Sequence, residues 1–213
     1  MRRIRILGVG LLAVLALGAA LASSGSAAPN KPLTMKAEEE ALKNGAKLTK
    51  KGQTVVTAGG RSIECAETTF GSTLTTNGLA KDKGTLTEAS FAGEGDGACV
   101  SGLGPASITA SDLPWPTEIS SKGTVTIKGT KKVAFTVTFT GQPGEPKCTL
   151  EASKFVSTFT PGEAGKPIPM VLTASDQTFK LNKKVSAASC AKDASVSGIY
   201  DVTSEGKVVT SEL

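Results

Sequence analysis

Four cysteines, one tryptophan, one tyrosine and no histidine bound the chemistry open to this 213-residue chain. Without imidazole there is no Ser-His-Asp triad, no Cys-His dyad and no histidine metal ligand. None of Cys65, Cys99, Cys148 and Cys190 belongs to a CxxC pair, so a zinc site is not expected and no cofactor is called for. Two adjacent Ser–Lys pairs occur, Ser121-Lys122 and Ser153-Lys154. Neighbours along a strand point to opposite faces, so neither pair would act as a base and nucleophile there. The densest acidic stretch is Glu94-Gly-Asp96-Gly. A calcium loop needs a longer alternating run of oxygen ligands ending in Glu, and this stretch reads as a solvated turn. The other acids are sparse and sit beside Gly, Lys or Pro, which does not suggest a glycosidase pair.

The remaining chemical feature is Trp115, held between Pro114 and Pro116. As a ligand platform it would be exposed and would stack a sugar or apolar ring, with Tyr200 the only other polar aromatic to assist. As structure it would be an anchor packed over a sheet edge. Aromatics make up only 4% of the chain, and most Phe residues fall at alternating strand positions, so the anchor reading is preferred. The ligand-binding candidates carried forward are Trp115 and Tyr200; catalytic and metal-binding residues are not expected.

The elements that must position these residues begin after a leader. Arg2, Arg3 and Arg5 precede an apolar run from Ile6 to Leu21 and a small-residue stretch ending at Ala27-Ala28. This is the layout of a secretory signal peptide over residues 1–27, cleaved after Ala27. The apolar run is short for a membrane span, so no membrane insertion is expected after cleavage and the destination is secreted or extracytoplasmic. The whole chain carries +5. Removing the three leader arginines leaves the mature part near +2, with Arg61 its only arginine and its lysines scattered. A nucleic-acid reader would show a basic stripe with interleaved aromatics, so nucleic acid is not an expected partner.

Export places the cysteines in an oxidising environment. Four cysteines allow three connectivities. Sequence proximity favours Cys65–Cys99 and Cys148–Cys190, each stapling a loop at roughly 3–4 kcal/mol. A faint internal echo points the same way: Cys65-Ala-Glu-Thr-Thr-Phe resembles Cys148-Thr-Leu-Glu-Ala-Ser-Lys-Phe.

Residues 28–47 read as an arm. Thr34 as a cap, Glu38 to Glu40 in the first turns and Asn44-Gly45 as a stop outline a short helix. From residue 48 to 213 the pattern is β throughout, with abundant Thr and Val and glycine punctuation. Gln53–Thr57 and Ser62–Cys65 flank Gly59-Gly60, which suits a tight hairpin. Thr124–Lys128 and Lys132–Thr140 read as a second hairpin across Gly129-Thr130. In its later strand Val133, Phe135, Val137 and Phe139 share one face. Ala106–Ile119 reads as a central strand that breaks at Leu113 and hands the chain to a second set of strands. The fold expected is a single all-β domain, sandwich-like or a flattened barrel of about 9–12 short, mostly antiparallel strands, with a short N-terminal helix or arm.

Ile63-Glu-Cys65, Phe91 to Cys99, Ile108 to Trp115 and Ala188-Ser-Cys190 followed by Ser197-Gly-Ile-Tyr200 resemble the pattern of a group of small exported actinobacterial proteins. The resemblance spans roughly residues 45–203, and its distinctive motif is Leu-Pro-Trp. It implies secretion, an all-β fold and the neighbour-to-neighbour disulfides, and it carries over no catalytic residue. The function expected is that of an exported, non-enzymatic binding or cell-envelope protein. The alternative is a small-molecule or glycan-binding module using the surface near Trp115, with a hydrolase behind both.

Overall fold

The computed structural model describes residues 34–38, 40–78, 80–159, 169–172 and 178–212. The signal peptide expected over residues 1–27, its expected cleavage point and residues 28–33 of the arm lie outside them. The body belongs to one compact unit, Lys31–Leu213.

Sixteen strands follow one another among the described residues: β1 (Thr34–Ala37), β2 (Glu40–Ala41), β3 (Lys47–Ala58), β4 (Arg61–Thr76), β5 (Lys81–Ala92), β6 (Cys99–Ser101), β7 (Gly104–Ser111) and β8 (Trp115–Ser120). Then come β9 (Thr124–Ile127), β10 (Val133–Phe139), β11 (Lys147–Ala152), β12 (Phe155–Phe159), β13 (Pro169–Leu172), β14 (Thr178–Leu181), β15 (Asp193–Ser204) and β16 (Lys207–Glu212). The strands are more numerous than the sequence suggested. Several are only two to four residues long, which periodicity does not register.

All pairings among the described residues are antiparallel, and they close. The strands β3, β4, β5, β8, β9, β12, β13 and β15 form an eight-strand barrel. A second circuit leaves the same wall, running from β4 through β6, β7, β10, β11 and β14 back to β15. Of the three shared strands, β3 lies between β15 and β4 along its length, and β15 and β4 are long enough to change their other partner midway. The start of β4 pairs Ile63 and Glu64 with β6, and Glu67 onward pairs with β5. Likewise β15 gives Asp193–Ser195 to β14 and Gly198–Asp201 to β13.

Local sequence explains the hinges of this path. Gly59 and Gly60 have φ of 58° and 76°, the double positive φ of the tight hairpin expected there. The chain hands over between circuits at Leu113 as expected: β7 ends at Ser111 beside β10, and β8 begins at Trp115 beside β5. The Leu113–Pro114 bond is cis. Gly52 and Gly198 allow close backbone approach. A Cβ on Gly52 would collide with the Ile199 carbonyl, and one on Gly198 with the Tyr200 ring.

Two expectations fail. Thr34–Ala37 and Glu40–Ala41 are strands, and no helix forms among the described residues of this segment. Here β1 pairs with β16, Met35 is buried, and Asn77 bonds the Met35 amide and the Met35 and Leu42 carbonyls at 2.8–2.9 Å. Those tertiary bonds outweigh a helix preference worth only tenths of a kcal/mol per residue. The second hairpin is also wrong. β9 pairs with β8 and β12, whereas β10 pairs with β7 and β11, so the segment around Gly129 carries the chain from one circuit to the other. Both strands keep an apolar inward face, which is why the pattern did not separate a hairpin from a crossing.

One aromatic chain threads the core. Trp115 meets Phe135 at 5.4 Å, Phe135 meets Phe91 at 5.5 Å, Phe91 meets Phe70 at 5.6 Å and Phe70 meets Tyr200 at 5.2 Å. Phe155 and Phe179 also pack on Phe135. The two disulfides are Cys65–Cys99 and Cys148–Cys190, the pairing preferred from sequence, and they fit an oxidising, extracytoplasmic environment. Truncating a buried Phe leaves a cavity that costs about 3–5 kcal/mol. Phe135→Ala is therefore expected to lower the urea midpoint by that equivalent, and a loss under about 1 kcal/mol would show that Phe135 does not join the two circuits.

Candidate functional site

Neither sequence-derived ligand candidate lies at a surface. Trp115 is 1% exposed, and its Nε1 donates to the Ser111 carbonyl at 3.1 Å. Tyr200 is 0% exposed, and its hydroxyl shares a 2.6 Å hydrogen bond with Thr54 Oγ1. Burial pushes the Tyr200 hydroxyl up to about 12, against the opposing effect of the Thr54 bond. Trp115 and Tyr200 occupy the two ends of the aromatic chain, so the structure does not bring them together and neither forms a platform.

The two adjacent Ser–Lys pairs lie in turns rather than on strands. Ser121-Lys122 joins β8 to β9, and Ser153-Lys154 joins β11 to β12, with Ser153 and Lys154 exposed. Glu94-Gly-Asp96 forms one 3-10 turn, with the Gly95 amide donating to Glu67 Oε1 at 3.2 Å. Among the described residues no group of three or more His, Cys, Asp or Glu is placed to hold a metal ion.

The fold does assemble a Ser–Lys pair that the sequence reading missed. Lys50 on β3 and Ser72 on β4 both point into the barrel, 8% and 7% exposed, and Lys50 Nζ donates to Ser72 Oγ at 2.6 Å. Ser72 stands opposite Leu48 and Lys50 opposite Phe70, so the two are diagonal neighbours on one face. The available signal was parity: in the Gly59-Gly60 hairpin Lys50 falls in step with Leu48. Desolvation brings the amine down from 10.5 to about 8. The space beside the pair is about 30 Å³, lined by Met35, Leu48, Leu74, Ile119, Val125 and Val202 among others. That is room for a water molecule or two, and an acyl substrate has no place beside Ser72.

The roomy site is at the mouth of the second circuit, a cleft of about 480 Å³. Its floor is apolar: Ile63, Val137 and Leu150, with half-buried Phe139 above them. The strands place these side chains by alternation, since Val137 lies opposite Cys148 on β11 and opposite Ile108 on β7. The rim is polar and fixed by local bonds. Gln142 Nε2 donates to the Leu103 carbonyl at 2.6 Å, and Ser101 Oγ donates to the Gly104 carbonyl at 2.6 Å. The Cys148–Cys190 disulfide holds Ser189, Cys190 and Ala191 against β11 as one wall.

Arg61 sits on the rim as the only charged residue among the described ones that line the cleft. It is exposed and pairs with no acid among the described residues. No sequence motif marked this site, because its lining comes from six separated stretches of the chain.

In comparisons with known proteins the chain matches no family model, no curated protein and no solved structure.

Lys50 gives the fold a pH signature. Its folded value lies below the unfolded one, so between pH 8 and 10.5 the unfolded chain holds the extra proton and stability rises with pH. Tyr200, held up to about 12, reverses the trend above its ordinary value of 10. Denaturant titrations stepped from pH 8 to 10 should show a gain of up to about 3 kcal/mol, at 1.36 kcal/mol per unit. Lys50→Met should flatten that rise, and an unchanged slope in the variant would refute the assignment. Trp115 emission should be blue-shifted and insensitive to iodide.

Proposed function

We propose that this protein is an exported, non-enzymatic binding module that takes a small amphipathic anion into the cleft at Arg61. The observation that carries this reading is the pairing of a 480 Å³ apolar-floored space with a single unpaired cation on its rim. Ligand sites are commonly clefts of about 300–1,000 Å³, mostly apolar, with few polar groups that fix orientation. An apolar body would lie against half-buried Phe139 above the buried floor of Ile63, Val137 and Leu150, and a carboxylate or sulfonate would meet the guanidinium. Secretion follows from the N-terminal leader pattern and is in keeping with the two disulfides. The likeness of the Leu113-Pro-Trp region to small exported actinobacterial proteins belongs to the same reading.

The ligand site thereby moves away from Trp115, whose ring is enclosed. A non-enzymatic role is supported by the absence of histidine from the chain and by the cramped setting of Lys50 and Ser72.

Titration with anilinonaphthalene sulfonate, an apolar dye with one anionic group, tests the reading. The expected result is saturable binding of one equivalent to the folded protein, displaced by medium-chain carboxylates in preference to the matching alcohols. Arg61→Glu should weaken binding at least about tenfold, the equivalent of 1.4 kcal/mol, with the urea midpoint unchanged. Equal affinity in wild type and Arg61→Glu, or equal displacement by acids and alcohols, would remove Arg61 from the site. A panel of ester, glycoside and peptide substrates should show no turnover, and turnover would overturn the non-enzymatic reading.

A further inference from the structure

Five lysines that looked scattered in the sequence meet in one groove. Lys131 and Lys132 lead into β10, Lys180 is on β14, and Lys183 and Lys184 lie in the turn after it. Strand register gathers them: Ala134 stands opposite Glu151 on β11, and Glu151 stands opposite Lys180. The resulting groove is open and spans about 580 Å³. It lies at the start of β10, whereas the Arg61 cleft lies at its end, so the two sites are separate.

The groove's acids are largely occupied. Glu151 accepts from Lys132 Nζ through Oε2 and from Asn182 Nδ2 through Oε1 at 2.6 Å. The Lys132 hydrogen bond leads in holding its carboxyl below the ordinary range. Lys180 pairs with Asp193 at 2.8 Å. Lys131, Lys183 and Lys184 have no acid partner among the described residues. Counting Asp112, Glu151 and Asp193 against the five lysines leaves the groove at +2, while all of residues 34–213 sum to +1. The groove therefore carries a larger positive excess than the body as a whole.

What would use such a surface is decided by magnitude. One exposed ion pair contributes about 0–1 kcal/mol, so a single small anion gains little. A chain bearing several charges engages the lysines together and releases its counterions, and those gains accumulate. Arginine and aromatic residues are missing from the lining, so there is no bidentate fork and no surface for a base to stack on. Lysine, a compact point charge, suits phosphate oxygens without demanding a planar partner.

We infer that this groove docks a linear polyphosphate chain, held by charge alone. Fluorescein-labelled sodium polyphosphate and the leaderless protein provide the test, read by anisotropy over a sodium chloride series. The expected log–log salt slope is about −2 to −3.5, from 0.7 per neutralised phosphate and three to five lysines. The Lys131→Ala, Lys183→Ala, Lys184→Ala triple variant should bind at least about tenfold more weakly, with a slope flatter by about 2. The corresponding Lys→Arg triple should retain binding. A control triple, Lys81→Ala, Lys83→Ala, Lys122→Ala, should match wild type.

Absence of binding, or equal losses in the groove and control triples, would overturn the inference. Single-stranded DNA of equal charge should bind no more tightly than polyphosphate; tighter binding would make base contacts the source and overturn the charge-only mode. The dye titration at Arg61 should be the same in wild type and the groove triple, which keeps this result distinct from the fate of the cleft reading.

Discussion

The Phe135 ring, on β10, touches four aromatic side chains, and they come from both circuits of strand pairing. Phe91, Trp115 and Phe155 belong to β5, β8 and β12 of the barrel, and Phe179 belongs to β14 of the second circuit. Each such pair is worth about 0.5–1.5 kcal/mol beyond the area it buries. Four together approach the scale of a domain's whole net stability, about 5–15 kcal/mol. The backbone alone would leave two circuits sharing a wall; the Phe135 cluster makes their interiors one core. It also sets a constraint on Trp115. An indole buried this deeply needs a partner for its N–H, and the Ser111 carbonyl four residues earlier supplies it. The turn around Leu113 thus both hands the chain over and satisfies the side chain it delivers.

The second circuit has two thin seams, and the disulfides sit on them. Only Ile63 and Glu64 of β4 pair with β6, and the next register position is the Cys65–Cys99 bridge. Only Leu150 and Glu151 of β11 pair with β14. There the edge is extended by the Asn182 amide to the Thr149 carbonyl and the Ala187 amide to the Lys147 carbonyl, both 2.9 Å. The Cys148–Cys190 bridge then closes it. Short ladders contribute few cross-strand pairs, so covalent staples hold the part of the molecule that also contains the large cleft. The barrel circuit carries no bridge between its own strands; it has the long β3–β4–β5 ladders, and its shortest ladder among the described residues, β12–β13, has two register positions.

What was legible in the sequence depended on whether the signal was local. The Gly59-Gly60 turn, the break at Leu113, the inward face of β10 and the all-β class rest on turn chemistry and alternation, which are written in consecutive residues. The disulfide pairing followed from proximity because each bridge closes a seam between strands near in the chain. Where the deciding interaction was distant, the reading failed. Asn77 captures the 34–42 segment as strand, which no capping pattern around Thr34 foretells. The separation of β9 from β10 depends on which wall each joins. The Lys50–Ser72 pair, the Arg61 cleft and the lysine groove exist only once register is fixed. Trp115 drew attention because its type is rare, yet rarity in composition says nothing about exposure.

The two polar ends of the interior differ in what covers them. At the Lys50 end, β1 and its neighbouring turn are locked over the barrel: Met35 lines the small cavity there, Gly45 donates to the Leu74 carbonyl at 2.7 Å, and the Leu74 amide donates to Ala46 at 2.8 Å. The buried amine is thereby left without bulk water, which opposes stability at neutral pH, and the ladder and core interactions offset that cost. At the Arg61 end no strand crosses the mouth among the described residues; the floor side chains Ile63, Val137 and Leu150 are already buried in the core, and half-buried Phe139 and the polar rim face the open space. The same fold that covers one end with its own first strand leaves a polar-rimmed space at the other.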